Sequence, residues 1–201
     1  MSFEQQFTQG IEYRSHFDSS FTLDEQSQKL LESTFSKTSE KAMQEPFFSL
    51  RQSLCSHAIE YASENRTQSY SYQCLADSHT FLRACIEQKF VREKYMTLTV
   101  GDVSFDGERL FGVTRSTLQE CVAQGISTAD NPRFHVWLTL ADMSVVDLTI
   151  MSQLISLGKL PEPSAREQWL NVWRAERKGR FDYHPVLIDD DFLSRLIKPA
   201  H

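Results

Sequence analysis

Residues 134–150 have the sequence FHVWLTLADMSVVDLTI, which is the clearest secondary-structure pattern in the chain. Apolar and polar residues alternate through 134–140 and again through 144–150, which is the period of a half-buried strand. The residues at 141–143 between the two runs are few enough for a β-hairpin. We therefore predict two antiparallel strands joined by a tight connection centred on Asp142.

The register of this hairpin follows from its hydrophobic pattern. Successive side chains on a strand point to opposite faces, so Val136, Leu138, Leu140, Val146, Leu148 and Ile150 can share the core-facing side. A connection centred on Asp142 then puts His135 and Asp147 diagonally across the other face, within reach of a polar contact. A slip of one residue would separate these two groups, but it would also expose an apolar row. The sequence thus predicts an imidazole beside a carboxylate.

Length and composition are those of an ordinary globular protein, with 201 residues, of which 40% are hydrophobic and 24% charged. We expect a single domain over 1–201. The formal net charge of -6 argues against a nucleic-acid partner.

No apolar run approaches the roughly 18 residues of a membrane span, so no membrane partner is expected. The first residues lack the basic and apolar regions of a secretory signal, which predicts a cytoplasmic protein.

The chain has four cysteines, and none of them forms a CxxC pair: Cys55, Cys74, Cys85 and Cys121. This spacing fits neither a zinc site nor a dense disulfide framework. Reduced thiols are therefore expected, and neither a metal nor another cofactor is predicted. Each thiol is then either a core residue or a nucleophile.

Three regions are expected along the chain. Residues 1–63 form an N-terminal helical lead-in, beginning with a loosely attached arm over 1–20 and followed by two helices. Residues 64–157 form the core, and residues 158–201 form a C-terminal helical extension that includes a helix over 165–178.

Within the core, a helix is predicted over residues 74–89, followed by a strand that runs from Tyr95 toward Phe105. Asp106-Gly107 is a strong hairpin signal, and 110–113 is the expected return strand. Gly101 and Gly112 are candidates for bulges or close backbone approaches.

Cys74 falls in the first turn of the predicted helix. The amino-terminal end of a helix carries partial positive charge and unpaired N–H groups, which favour a thiolate and can lower its pKa. The same N–H groups can hold an oxyanion formed when the sulfur attacks a carbonyl. Cys85 is a rival nucleophile, but it lies about three turns into the helix, away from the positive end.

These motifs resemble the transglutaminase-like branch of the papain-fold superfamily. The resemblance rests on the run CLADSHTFLRA at 74–84, on His135-Val136-Trp137 and on Val146-Asp147-Leu148-Thr149, and it covers about residues 65–150. It implies an α+β fold, with a papain-like core in which a nucleophile-bearing helix packs on an antiparallel sheet, plus N- and C-terminal helices. It also implies a catalytic triad in which Cys74 is the nucleophile, His135 the general base and Asp147 the orienting carboxylate.

The resemblance further implies a cysteine-dependent acyl-transfer enzyme: an amide or peptide hydrolase, a deamidase or a transglutaminase, acting on a protein, peptide or amide substrate. Gln68 lies six residues before Cys74, the separation of the papain-type oxyanion glutamine. Trp137 shares a face with His135 and is expected to shield it from water or to pack beside a substrate. No metal or cofactor is implied.

A non-catalytic interpretation stays open. Cys74 shares a helical stripe with Phe81 and Cys85 and can be an ordinary buried thiol. His135 can be a hydrogen-bonded sheet histidine, and Asp142 is a rival for the orienting role of Asp147. In that case the chain is a catalytically inactive transglutaminase-like protein that acts as a protein-binding module.

Overall fold

The computed structural model describes residues 1–18, 71–87, 96–125, 134–161, 171–174 and 179–196. The side chains at 71–74, 156, 172 and 173 are outside this description. Several predictions therefore fall outside the described residues: the two helices expected in the lead-in after residue 20, the oxyanion residue Gln68, and the side-chain position of Cys74.

The described residues form an α+β fold around one antiparallel sheet. Its six strands are β1 (Met96–Phe105), β2 (Glu108–Arg109), β3 (His135–Leu140), β4 (Val145–Asp147), β5 (Asn171–Trp173) and β6 (Phe181–Ile188). Strand β1 is paired with β6 on one edge and with β3 and β2 on the other, and the sheet continues from β3 through β4 to β5. The prediction of an antiparallel sheet in an α+β fold is confirmed.

Five α-helices, and a 3-10 turn at Arg14–His16, accompany the sheet in the described part of the chain. The α-helices are α1 (Phe3–Tyr13), α2 (Ser71–Glu87), α3 (Arg115–Gln124), α4 (Ile150–Ser156) and α5 (Phe192–Leu196). None of these helices has the length and apolar character needed to cross a membrane. Helix α2 begins three residues earlier than predicted, so Cys74 lies at the end of its first turn.

The β3–β4 hairpin has the predicted register. Leu138 is paired with Val146 and Thr139 with Val145, which centres the connection on residue 142. Strand β4 ends at Asp147, earlier than predicted, because the Asp147 carboxylate accepts the N–H groups of the next turn and leads the chain into α4. Ile150, predicted to continue the strand, is instead the first residue of α4 and packs on the opposite face of the sheet from Val146.

The two faces of the sheet bury different clusters. The face covered by α2, here called the helix face, contains Leu98, Val136, Leu138 and Val146 together with Leu75, Phe81, Leu82 and Cys85 of the helix. The other face, here called the histidine face, contains Trp137, Val145 and Tyr183 together with Phe3 and Phe7 of α1 and Ile150 and Leu154 of α4. Because side chains alternate along β3, His135 shares the histidine face with Trp137.

Two predictions on β1 are confirmed: the turn at Asp106-Gly107 and the irregular position at Gly101. Asp106 and Gly107 both have positive φ, at 51° and 84°, and they connect β1 to β2. Gly101 lies where the β1–β6 register shifts, and a Cβ there would lie 2.2 Å from the His184 carbonyl oxygen. The predicted return strand at 110–113 is wrong, since β2 ends at Arg109 and the N–H groups of Phe111 and Val113 donate to the Asp102 side chain.

The N-terminal residues are a packed helix, so the expectation of a loosely attached arm is wrong for 1–18. Ser2 and Gln5 form a reciprocal capping box that starts α1. Phe3, Phe7, Gly10 and Tyr13 recur at helical spacing and are buried, and α1 packs along β6. Burial of this stripe is what holds the segment on the sheet.

The C-terminal region also differs from the predicted helical extension. Residues 171–173, expected within a helix, form the edge strand β5 against β4, and residues 181–188 form β6 against β1. Pro185 has no N–H to donate to a neighbouring strand, and its presence argues against a strand in the sequence. It is tolerated in β6 because it is paired with Gly101, where the β1–β6 register shifts.

Candidate active site

The centre of the candidate site is a contact between His135 and Asp147. The Nε2 atom of His135 lies 2.7 Å from Oδ2 of Asp147, and both side chains are 0% exposed. An ionised carboxylate can only accept hydrogen bonds, so the proton of this bond is on Nε2. The ring nitrogen that can act as a base toward another group is therefore Nδ1.

The second oxygen of Asp147 is held by the backbone. Oδ1 accepts the N–H groups of Thr149 and Ile150, each at 3.0 Å. These bonds form because the chain turns from β4 into α4 immediately after the aspartate. They fix the plane of the carboxylate and therefore the direction in which Oδ2 meets the imidazole.

Two residues not predicted from the sequence complete this network. The hydroxyl of Tyr183 on β6 donates to Oδ2 of Asp147 at 2.9 Å. Asn171 on β5 donates through Nδ2 to the Tyr183 oxygen at 2.7 Å. Burial and the neighbouring Asp147 charge raise the pKa of Tyr183 well above its usual range, so the hydroxyl keeps its proton at neutral pH.

The imidazole lies between aromatic rings. The Phe111 ring is nearly parallel to it, at 6° with 5.5 Å between centroids, and the Trp137 ring lies 6.1 Å away at 27°. Trp137 is fully buried and donates through Nε1 to Thr139 Oγ1 at 3.2 Å. A buried indole is in a position to shield the histidine from water, while a contact with substrate stays a prediction.

Phe111 is held over the imidazole by a second buried carboxylate, that of Asp102 on β1. Asp102 accepts the N–H groups of Phe111 at 3.1 Å and of Val113 at 3.2 Å, as well as that of Val103 at 2.8 Å. The half-exposed Arg109 also donates to it, at 3.3 Å. The segment after β2 is therefore bound to the sheet, and this places Phe111 beside the site.

The structure brings His135 and Asp147 together, whereas the described part of α2 lies on the other face of β3. The buried residues of α2 pack on the helix face, with Val136 and Leu138. His135 is the first residue of β3, and Phe134 just before it belongs to the helix face. The imidazole thus lies at the end of the strand, and its contact with the Cys74 thiol stays a prediction.

The rival residues have other surroundings. Burial raises the pKa of the Cys85 thiol to about 12, so it is protonated at neutral pH and is a poor nucleophile. Asp142 accepts the backbone N–H of Ser144 at 3.1 Å and is also hydrogen-bonded to the Ser144 hydroxyl at the tip of the hairpin. Asp142 therefore closes the turn, and Asp147 contacts the histidine.

No sequence signal within the hairpin itself points to Tyr183 or Asn171. The alternation of residues at 181–188 is the pattern that could have identified β6, but Pro185 obscures it. In the described parts of the chain, no group of three or more His, Cys, Asp or Glu side chains is placed to hold a metal ion. The chain matches no protein-family model, and comparisons with curated proteins and with solved structures give no significant match.

Proposed function

We propose that the protein is a cysteine-dependent acyl-transfer enzyme of transglutaminase-like type, in which Cys74, His135 and Asp147 form the triad. The observation that carries the proposal is the buried 2.7 Å contact between His135 and Asp147, which fixes the tautomer that leaves Nδ1 to act as the base. The helix that contains Cys74 packs on the same β1–β3 pair but, in its described residues, on the opposite face from His135.

The reaction begins with transfer of the Cys74 proton to Nδ1 of His135. The thiolate then attacks the carbonyl carbon of an amide or ester, and a carbon–sulfur bond forms while the oxyanion is held by N–H donors. The imidazolium returns its proton to the leaving amine or alcohol, which gives a thioester. Water or an amine then attacks the thioester, and the acid or a new amide leaves as the thiol is regained.

The proposal requires the thiol to reach the imidazole past the beginning of β3. His135 is the first residue of that strand, so the thiol would approach around its amino-terminal end and not through the sheet. Asp147 would orient the imidazole and stabilise its protonated form. Reduced thiol chemistry of this kind suits a cytoplasmic enzyme that acts on protein or peptide amides.

A second candidate function, a non-catalytic protein-binding module with the same fold, is favoured by one observation. His135 is completely buried between Phe111 and Trp137, and the described residues of α2 pack on the opposite face of the sheet. In this case the His135–Asp147 pair would hold β3 and β4 together and have no role in proton transfer.

Alkylation of the native protein separates the two candidates. Iodoacetamide near pH 7, with sites identified by peptide mass mapping, should label Cys74 much faster than Cys85. His135→Ala should slow labelling of Cys74 about tenfold or more, because the thiolate loses its counter-ion. Cys85→Ser is the matched control and should leave the fast phase unchanged. An unreactive Cys74, or equal Cys74 rates in the native and His135→Ala proteins, would reject the enzyme.

Acylation then tests the chemistry itself. With p-nitrophenyl acetate, the thiolate should take the acetyl group and release p-nitrophenolate, giving an acetyl adduct on Cys74 that is absent from Cys74→Ser. Adding a primary amine to the acylated enzyme distinguishes transamidation, which yields the N-acetyl amine, from hydrolysis, which yields acetate. A native protein that shows no adduct contradicts the proposal.

A further inference from the structure

We infer that Tyr183 and Asn171 are positioning residues, which hold the Asp147 carboxylate in the orientation that directs His135. The inference rests on the proposed function for its catalytic consequence, while the positioning itself is a property of the hydrogen-bond network. Neither residue lies in the hairpin that contains the pair: Asn171 is on β5 and Tyr183 on β6.

The direction of each hydrogen bond in the network is determined by the chemistry of its groups. The Nδ2 atom of Asn171 can only donate, so the Tyr183 oxygen accepts at this bond. The single hydroxyl proton of Tyr183 is then left to point at Asp147, which as a carboxylate can only accept. Asn171 therefore orients the Tyr183 proton toward Asp147.

Asp147 is left with no alternative orientation. Oδ1 accepts two backbone N–H groups, and Oδ2 accepts both the Tyr183 hydroxyl and Nε2 of His135. These four bonds fill the acceptor positions of a carboxylate. Rotation of the group would break several hydrogen bonds inside a fully buried environment, where an unpaired donor is costly.

The tyrosine also joins parts of the sheet that are not neighbours. Strands β1 and β3 lie between β6 and β4, and the Tyr183 and Trp137 rings make a T-shaped contact with 5.0 Å between centroids. The hydroxyl at the far end of this ring reaches Asp147. The long-range pairing of β6 with β1 is therefore coupled to the geometry of the His135–Asp147 pair.

A donor on Oδ2 has a chemical consequence for the histidine. Tyr183 takes up part of the negative charge of Asp147, so that less of it stabilises the imidazolium. The proton that His135 receives from the thiol is then more easily returned to the leaving group. Removal of this donor should make the imidazolium persist to higher pH.

The test compares Tyr183→Phe and Asn171→Ala with the native chain. Tyr183→Phe keeps the ring beside Trp137 and removes only the hydroxyl. The control is Tyr13→Phe, which removes another buried hydroxyl, one that donates to the Arg115 carbonyl at 2.8 Å away from the site. The readouts are the NMR titration of the His135 ring and the pH profile of Cys74 acylation.

In Tyr183→Phe we expect the midpoint of the His135 titration, and the alkaline limb of acylation, to rise by about one pH unit. Asn171→Ala should shift both in the same direction by less, and it replaces Tyr183→Phe if that variant does not fold. Tyr13→Phe should shift neither. Unchanged His135 titration in the folded variants overturns the positioning role. If the His135 titration shifts but Cys74 is never acylated, the positioning role stands and the proposed enzymatic function is rejected.

Discussion

Asp102 and Asp147 are two fully buried carboxylates that are similarly bound to the backbone but differ in their side-chain partners. Each accepts N–H groups from residues that follow it in the chain. Asp102 has the guanidinium of Arg109 as its remaining partner, a permanent cation that is 51% exposed. Asp147 instead contacts His135 and Tyr183, which are both titratable and both buried.

The same backbone arrangement is thus combined with two different kinds of side-chain partner. Backbone N–H groups offset the cost of burying either carboxylate, because hydrogen bonds replace those lost from water. A permanent cation at the surface adds an anchor for the segment after β2. A titratable imidazole inside the core adds a group that can exchange a proton. Four substitutions test this comparison.

The largest effect is expected for Asp147→Ala. It leaves two backbone N–H groups, the His135 Nε2 proton and the Tyr183 hydroxyl without their acceptor in a buried site. We expect the free energy of unfolding to fall by about 4 kcal/mol, measured by urea denaturation. Asp142→Ala at the tip of the same hairpin is the control, with an expected loss of about 1 kcal/mol. Equal losses would show that the network is not specially stabilising.

Asp102→Ala should have the next largest effect. It removes the acceptor of the Phe111 and Val113 N–H groups, so the segment after β2 loses its attachment to the sheet. A loss of about 3 kcal/mol is expected in the same urea measurement. The exposed Asp182, on the neighbouring strand, supplies the control Asp182→Ala, which should cost less than about 0.5 kcal/mol. A cost as small as this for Asp102→Ala would contradict the anchoring role.

Asp77 on α2 shows a carboxylate that is partly buried without such donors. The described residues offer it no hydrogen bond, and burial raises its pKa to about 6. Between about pH 4 and pH 6 the Asp77 carboxyl is protonated in the folded chain and ionised in the unfolded chain. The free energy of unfolding therefore falls as pH rises through this range, and the penalty for burying the charge is fully present above it. Asp77→Asn should stabilise the protein at pH 7.5 by about 1 kcal/mol, after allowing for partial exposure.

The matched measurement for Asp77→Asn is urea denaturation at about pH 4, below the folded-state pKa, where the gain should be largely absent. Glu87→Gln, an exposed position near the end of the same helix, should change stability at neither pH. A gain that is equal at both pH values would point to helix propensity and not to the charge.

The smallest effect is expected for Arg109→Ala. Its guanidinium is half-exposed, and screening by water limits such pairs to about 0.5 kcal/mol. The same urea measurement should therefore give a much smaller loss than Asp102→Ala. Comparable losses would mean that the cation, and not the backbone N–H groups, holds the buried carboxylate.

The sequence predicted the part of the site that lies within one hairpin. Alternation at 134–148 assigned the residues to the two faces of the sheet, both of which are buried, and the short connection fixed the register. His135 and Asp147 therefore came together as expected. The same local logic predicted the Asp106-Gly107 turn. In each case the partners are close in sequence, and turn length limits the possible pairings.

The sequence was a poor guide where a segment's structure depends on distant partners. Residues 171–173 were expected in a helix and form β5, because β4 offers them an unpaired edge. The apolar residues of 1–18 are scattered among polar ones. Phe3, Phe7 and Tyr13 of α1 are nevertheless buried, because α1 packs against β6. Tertiary context overrides local propensity at such positions.

The local pattern of residues was enough to predict the hairpin and, with it, an imidazole beside a carboxylate. Tyr183 and Asn171 join them through the tertiary fold: Tyr183 lies on β6, which pairs with β1, and Asn171 lies on β5, opposite Asp147 and 24 positions away in the chain. Hairpin register is fixed by local geometry, because its partners are close in sequence. Long-range strand pairing depends instead on which strand edges and apolar surfaces remain uncovered once the rest of the chain has folded.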